Sequence, residues 1–128
     1  MATKQSAERV ETGSGFTVAE GPRGRGVFAT RRFAEGELIE TCPTVEVADA
    51  EVTGRLNDYV FTSVRDGDVL LVLGHGMLYN HSPNPTVEYV QDEPSTITFR
   101  ALRKVRPGDE LTIDYGEEWW ATRGLEPD

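Results

Sequence analysis

The sequence predicts a mostly-β single domain, and three observations carry that prediction. Apolar residues fall in short runs of strand length, rich in β-branched and aromatic types. Clusters of Gly, Pro, Asp and Asn separate those runs at short intervals. No long stretch repeats its apolar residues at helical spacing. With 128 residues, one domain with one modest core is expected.

Residues 1–15 are polar and lack the apolar core of a secretory signal, so they are expected to form a flexible leader. The ordered domain is expected over 16–120, followed by a short polar tail, 121–128. A first strand is predicted over 16–19, a Gly/Pro turn cluster over 20–26 and a second strand over 27–30. A turn over 33–36 leads to a strand over 37–40, which Pro43 should end or confine to a sheet edge. Residues 45–47 alternate as a strand does, and 49–57 have room for one helical turn. A β-branched and aromatic run over 59–64 turns at 66–68 into an apolar run over 69–73. The segment 74–79 reads as a short helix or irregular loop. Asn80-His81-Ser82 falls in a loop made rigid by Pro83 and Pro85. Clean alternation marks strands over 86–90 and 96–101, joined by a polar stretch, and 111–113 forms a last strand.

One segment has an echo. Arg31-Arg32-Phe33-Ala34-Glu35-Gly36-Glu37-Leu38 resembles Arg103-Lys104-Val105-Arg106-Pro107-Gly108-Asp109-Glu110-Leu111. Each has a basic pair, an apolar residue, a tight turn on glycine, an acidic residue and a strand. Two related β-hairpin layers produce this pattern; two unrelated turns of similar type also can.

Charge and composition narrow the function. Lys+Arg is 13 and Asp+Glu is 22, giving a net charge of −9. Such a field repels phosphate, which disfavours a nucleic-acid binder that works by counterion release. It suits a basic partner, such as a lysine-rich peptide, or simply aids solubility. No apolar stretch approaches the roughly 18 residues of a membrane helix. Cys42 is the single cysteine, which excludes an internal disulfide and a cysteine-built zinc site. His75 and His81 have no carboxylate at ligand spacing, so no metal is expected. These features agree with a reducing, intracellular setting.

Three segments could carry chemistry. Gly24-Arg25-Gly26 with Ala29 fits G-x-G-x-x-A, but a dinucleotide fingerprint needs a strand before it and a helix after it, and here a turn precedes a β-branched run. Paired glycines still let a backbone approach a ligand closely, or simply form a hairpin turn. Asn80-His81 offers donors and acceptors to a polar ligand, or forms an Asx-type turn. A Ser/His/acid triad is rejected, because no G-x-S-x-G elbow exists. The segment 110–120 sets Tyr115 at a strand end beside Gly116, then Trp119 and Trp120. These aromatics can be core or can line a narrow apolar channel.

Taken in order, Gly24-x-Gly26, Asp58-Tyr59-Val60-Phe61, Asn80-His81-Ser82 and Glu110-Leu111-x-x-Asp114-Tyr115-Gly116 resemble the SET-domain lysine methyltransferase family. The likeness spans about residues 16–120 and is nearest to the small stand-alone viral and prokaryotic members. It implies a β-clip fold of several small sheets with a knot-like active-site segment and little helix. It also implies methyl transfer from S-adenosylmethionine to a protein lysine, with cofactor and lysine entering from opposite faces. By that resemblance Gly24, Arg25, Gly26, Asn80, His81 and Tyr115 contact the cofactor. Tyr115 and Tyr59 are the catalytic candidates, and Tyr59, Phe61 and Trp119 line the lysine channel. The implied substrate is a histone or another basic protein, with a cytoplasmic setting, or a nuclear one if it acts on chromatin.

The sequence departs from the family pattern at four places. Met77 stands where an arginine is frequent, and Thr86 where the motif has asparagine. Trp119 occupies a position usually held by Phe or Tyr and tied to the number of methyl groups added. No cysteine-rich segment follows Trp120, so the tail, the substrate or a second copy in a homodimer must close the channel. The alternative from another class is a catalytically silent β-clip module that binds peptide or sugar.

Overall fold

The computed structural model describes residues 9–11, 15–63, 67–93, 95–116 and 119–120. Its strands are β1 (Arg9–Glu11), β2 (Phe16–Gly21), β3 (Gly24–Ala29), β4 (Leu38–Ala48), β5 (Phe61–Thr62), β6 (Asp68–Val72), β7 (Asn80–His81), β8 (Val87–Glu93), β9 (Thr96–Ala101) and β10 (Glu110–Ile113). They form two five-stranded sheets, ordered β1-β2-β3-β10-β7 and β5-β6-β4-β9-β8. Short 3-10 turns lie at Asp49–Glu51, Gly54–Asp58 and Gly76–Leu78. The mostly-β expectation therefore holds. One apolar cluster joins the sheets: Val27 and Leu111 come from the first, Leu70 and Phe99 from the second, and Phe33 and Val105 lie between.

The echoed turns explain how the sheets are joined. Phe33 and Val105 exchange backbone hydrogen bonds of 3.1 and 2.9 Å. Gly36 N donates to Ala101 O at 2.7 Å, and Gly108 N donates to Ala29 O at 2.8 Å. The acidic residue closes each turn, with Ala34 N on Glu37 Oε1 at 2.8 Å and Arg106 N on Asp109 Oδ2 at 2.9 Å. Gly36 and Gly108 sit at φ +82° and +93°, a left-handed region that a Cβ disfavours. Sequence similarity here corresponds to matched hydrogen bonding around a local pseudo-two-fold.

Several element boundaries differ from the prediction. Arg9–Glu11 pairs along β2 as β1, inside the segment read as a leader, because the outer edge of β2 offers unpaired backbone groups. The turn cluster narrows to Pro22-Arg23, since Glu20↔Arg25 and Gly21↔Gly24 still pair. Pro43 neither ends β4 nor marks an edge. It falls where β4 passes from β9, paired up to Pro43, to β6, paired from Thr44, and its carbonyl accepts Leu73 N at 2.9 Å. The missing N–H of Pro43 thus lies at a change of partner. Of the expected strand over 59–64, only Phe61–Thr62 pairs; Tyr59 closes a 3-10 turn, and Val64 is outside the described residues. Asn80–His81 is a short parallel strand beside β10, held by a tertiary contact that local pattern does not encode. The tail 121–128 is outside the described residues.

Candidate active site

Parallel pairing of Thr112↔Asn80 and Ile113↔His81 brings together two segments more than thirty residues apart. Gly26 makes room for the side chains above them. A Cβ there would stand 2.7 Å from Asn80 Nδ2 and would also collide with the Glu110 carboxylate. Asn80 Nδ2 donates to Arg25 O and to Glu110 Oε2, each at 2.9 Å. Both amide hydrogens are thereby used, and what Asn80 can offer a ligand is its carbonyl oxygen. Glu110, with 7% of its side chain exposed, is balanced by Arg23 at 3.0 Å.

His81 is buried, and its ring braces Tyr115 from inside. Its Nδ1 accepts the Tyr115 backbone N–H at 3.0 Å, so a neutral ring carries its proton on Nε2. That Nε2 is buried without a hydrogen-bond partner among the described residues, and the His81 and Trp120 rings meet edge-on with centroids 4.9 Å apart. The Tyr115 hydroxyl donates to Tyr79 O at 3.2 Å. Burial first, then the Tyr59 hydroxyl, push the Tyr115 phenol above its ordinary pKa. Burial first, then the Glu40 carboxylate, push Tyr79 well above its own. Both therefore remain neutral hydrogen-bonding groups at physiological pH.

Two cavities meet at this point. An open cleft of about 420 Å³ is walled by Glu20, Arg23, Arg25, Leu78 and Asn80. A narrow channel of about 80 Å³ is walled chiefly by Phe61, Tyr89, Ile113 and Trp119. Tyr59, Met77, Tyr79 and Tyr115 belong to both. Edge-to-face contact holds Phe61 and Tyr89 at 5.0 Å, and Trp119 lies 4.7 Å from Tyr115, which fixes the channel walls.

The structure gathers most of the expected site. Arg25, Asn80 and Tyr115 line the cleft; Tyr59, Phe61, Trp119 and Tyr115 line the channel. Gly24, Gly26 and His81 are not among the cleft-lining side chains; Gly26 and His81 shape it from behind. Tyr79 and Tyr89 were not expected in the site, and neither Met77 nor Glu110 had an expected place in it. Tyr79 carries a signal: it precedes Asn80 in an extended pair, so it must face the core when Asn80 faces the cleft. Thr86, the departure from asparagine, still ties its loop to β10. Its hydroxyl donates to Glu110 O at 2.9 Å and accepts Thr112 N at 3.0 Å.

A polar cleft and an aromatic-lined channel thus share one wall of Tyr59, Met77, Tyr79 and Tyr115. Residues 24–116 match the family model of the SET domain, and the chain belongs to that family. It is 31% identical over 104 residues to the Schizosaccharomyces pombe histone-lysine N-methyltransferase described as H3 lysine-37 specific, covering 77% of this chain and 70% of that one. It is 32% identical over 127 residues to the Caenorhabditis elegans histone-lysine N-methyltransferase Suv4-20, covering 88% of this chain and 44% of that protein, less than half its length. A crystal structure of a proposed histone methyltransferase from Plasmodium falciparum superposes with a TM-score of 0.71 at 30% identity, covering 84% of this chain and 97% of that one. The chain is a SET-type protein-lysine methyltransferase, which sets aside the silent binding module.

Proposed function

We propose that the cleft binds S-adenosylmethionine, that the channel takes a lysine of a histone or similarly basic protein, and that the two meet at Tyr115. The shared wall of Tyr59, Met77, Tyr79 and Tyr115 carries this reading, because it is the one surface both ligands reach.

The cleft suits the cofactor. Arg23 and Arg25 match a carboxylate, while Glu20 and the Asn80 carbonyl match an ammonium. Aromatic faces at the shared wall suit a sulfonium. Gly26 keeps the β3 backbone close to Asn80 and Glu110, and His81 holds the Tyr115 main chain. When bound, the cofactor supplies an electrophilic methyl group.

The chain's residues prepare the amine. A free lysine has a pKa near 10.4 and is almost wholly protonated at neutral pH. Desolvation between Phe61, Tyr89 and Trp119 disfavours the ammonium and so favours the neutral, nucleophilic amine. The Tyr115 proton is committed to Tyr79 O, so its oxygen lone pairs are free to accept an amine N–H and orient the nitrogen. Tyr59 lines the entry from the substrate side. The net charge of −9 and Asp58 at the channel draw a basic segment toward it. A histone substrate places the protein with chromatin. We also propose that the chain forms a homodimer; full activity in a sedimentation-proven monomer would overturn that.

Labelled S-adenosylmethionine incubated with core histones tests the assignment. Transfer by the wild type is expected, with site mapping to name the lysine. Absence of cofactor binding by calorimetry would overturn it.

A further inference from the structure

We infer that Glu40 is a positioning residue of the reacting centre: its carboxylate staples both ends of the 75–79 turn and, through Tyr79, fixes the Tyr115 hydroxyl. The inference rests on the reading of Tyr115 as the point where the two ligands meet.

Glu40 lies on β4, two residues from buried Cys42 and therefore on the same strand face. A register irregularity between Leu38 and Glu40 sets it opposite Phe99 of β9. Its side chain is 13% exposed, and donors from two places in the turn converge on it. Glu40 Oε2 accepts His75 N at 3.0 Å and lies 3.0 Å from His75 Nδ1; Glu40 Oε1 accepts the Tyr79 hydroxyl at 3.2 Å. Gly74 is needed for the approach, because a Cβ there would stand 2.7 Å from Oε2. The start and the end of the turn are thus held by one carboxylate, with Met77 of the shared wall between them.

From there the contact passes through one residue. Tyr79 stacks on Phe99 at 4.7 Å, and its carbonyl receives the Tyr115 hydroxyl at 3.2 Å. Glu40 itself lines neither cavity, so its effect reaches the chemistry by geometry alone. A carboxylate accepts at both oxygens, as these contacts use it. Glutamine keeps one acceptor oxygen and turns an NH₂ toward another donor. The surroundings agree: burial, then the Glu40 charge, push the Cys42 thiol up to about 12.

Glu40→Gln and Tyr79→Phe, alone and combined, test the inference. Each is expected to lower kcat by roughly tenfold, the effect of losing a hydrogen bond to a charged group, while cofactor Kd and peptide KM stay within about twofold. The double variant should lose little more than Glu40→Gln alone, because both break one chain of contacts. Hydrogen exchange gives a readout independent of transfer: Glu40→Gln should speed exchange of the 75–79 amides and leave 96–101 unchanged. Unchanged exchange at 75–79 would overturn the staple, even if the wild type transfers no methyl and the functional reading itself fails. Faster exchange with wild-type kcat would reduce Glu40 to a structural role and overturn the positioning claim. Tyr79→Phe removes one hydroxyl and leaves the stack, so it decides the matter should Glu40→Gln not fold; unchanged kcat in it would contradict the link to Tyr115.

Discussion

The cleft and the channel share four side chains yet differ in the rest of their lining. The cleft is open and polar, walled by two arginines, a glutamate and an amide whose hydrogens are already used. The channel is narrow and aromatic, and its walls hold one another through ring contacts. Under the proposed function, the cleft holds charge that stays charged, and the channel takes an ammonium that must become neutral. The contrast separates binding from reaction: changes in the cleft should move cofactor affinity, changes in the channel should move product, and changes at the shared wall should move transfer itself.

The largest expected effect is at that wall. Tyr115→Phe keeps the ring but loses the oriented oxygen, and transfer should fall by about 100-fold or more, the usual cost of removing one aligned polar group at a reacting centre. Cofactor affinity by calorimetry should change far less; a parallel loss of both would erase the distinction between wall and cleft. Next, Asn80→Ala removes the carbonyl assigned to a ligand ammonium and leaves Glu110 short of a donor. Cofactor Kd should weaken by roughly tenfold, the worth of a charge-assisted hydrogen bond, with peptide KM unchanged. On the channel side, Trp119 is expected to crowd the site and hold products at low methylation. Intact mass of a peptide treated with Trp119→Phe should show added methyl groups, while abundant trimethyl product from the wild type would refute the crowding.

Two smaller effects should touch neither cavity selectively. Cys42, Tyr79, Tyr89 and Tyr115 all have folded-state pKa values raised above the ordinary 9.0 and 10.0, with burial the first cause in each. The fold favours their neutral forms, so this stabilisation is complete below those ordinary values and is lost as pH rises through the folded ones. The melting temperature should begin to fall above about pH 9, where the unfolded thiol starts to ionise. Finally, Gly108→Ala meets no atom within 4 Å but strains a φ of +93°. It should cost about 1 kcal/mol in denaturant melts, matched by Gly36→Ala, with turnover per folded molecule unchanged.

The turns and the walls differed in how readily the sequence disclosed them. The Gly36 and Gly108 turns were legible because each is a local unit whose acidic residue closes its own backbone. Motif order grouped Tyr115, Tyr59 and Trp119 in one expected site, and all three do line one channel. The strand character of Asn80–His81 was not, because two residues pair only when β10 arrives beside them. Pro43 misled because its lost donor matters only where a partner needs it, and β4 changes partner there. Glu40 was hidden for a related reason. Its partners His75 and Tyr79 lie thirty-five or more residues away along the chain.

The central claim is that the cleft and the channel are two ends of one path through the shared wall. A bisubstrate ligand tests it most directly: an adenosyl amino-acid cofactor analogue carrying a lysine-length alkylamine at the position of the transferred methyl. This ligand should bind about 100-fold or more tightly than the same analogue without the arm, because the second contact becomes intramolecular. Trp119→Ala should remove most of that gain and leave the armless analogue unaffected. An arm that adds no affinity, or an affinity gain indifferent to Trp119, would contradict the claim.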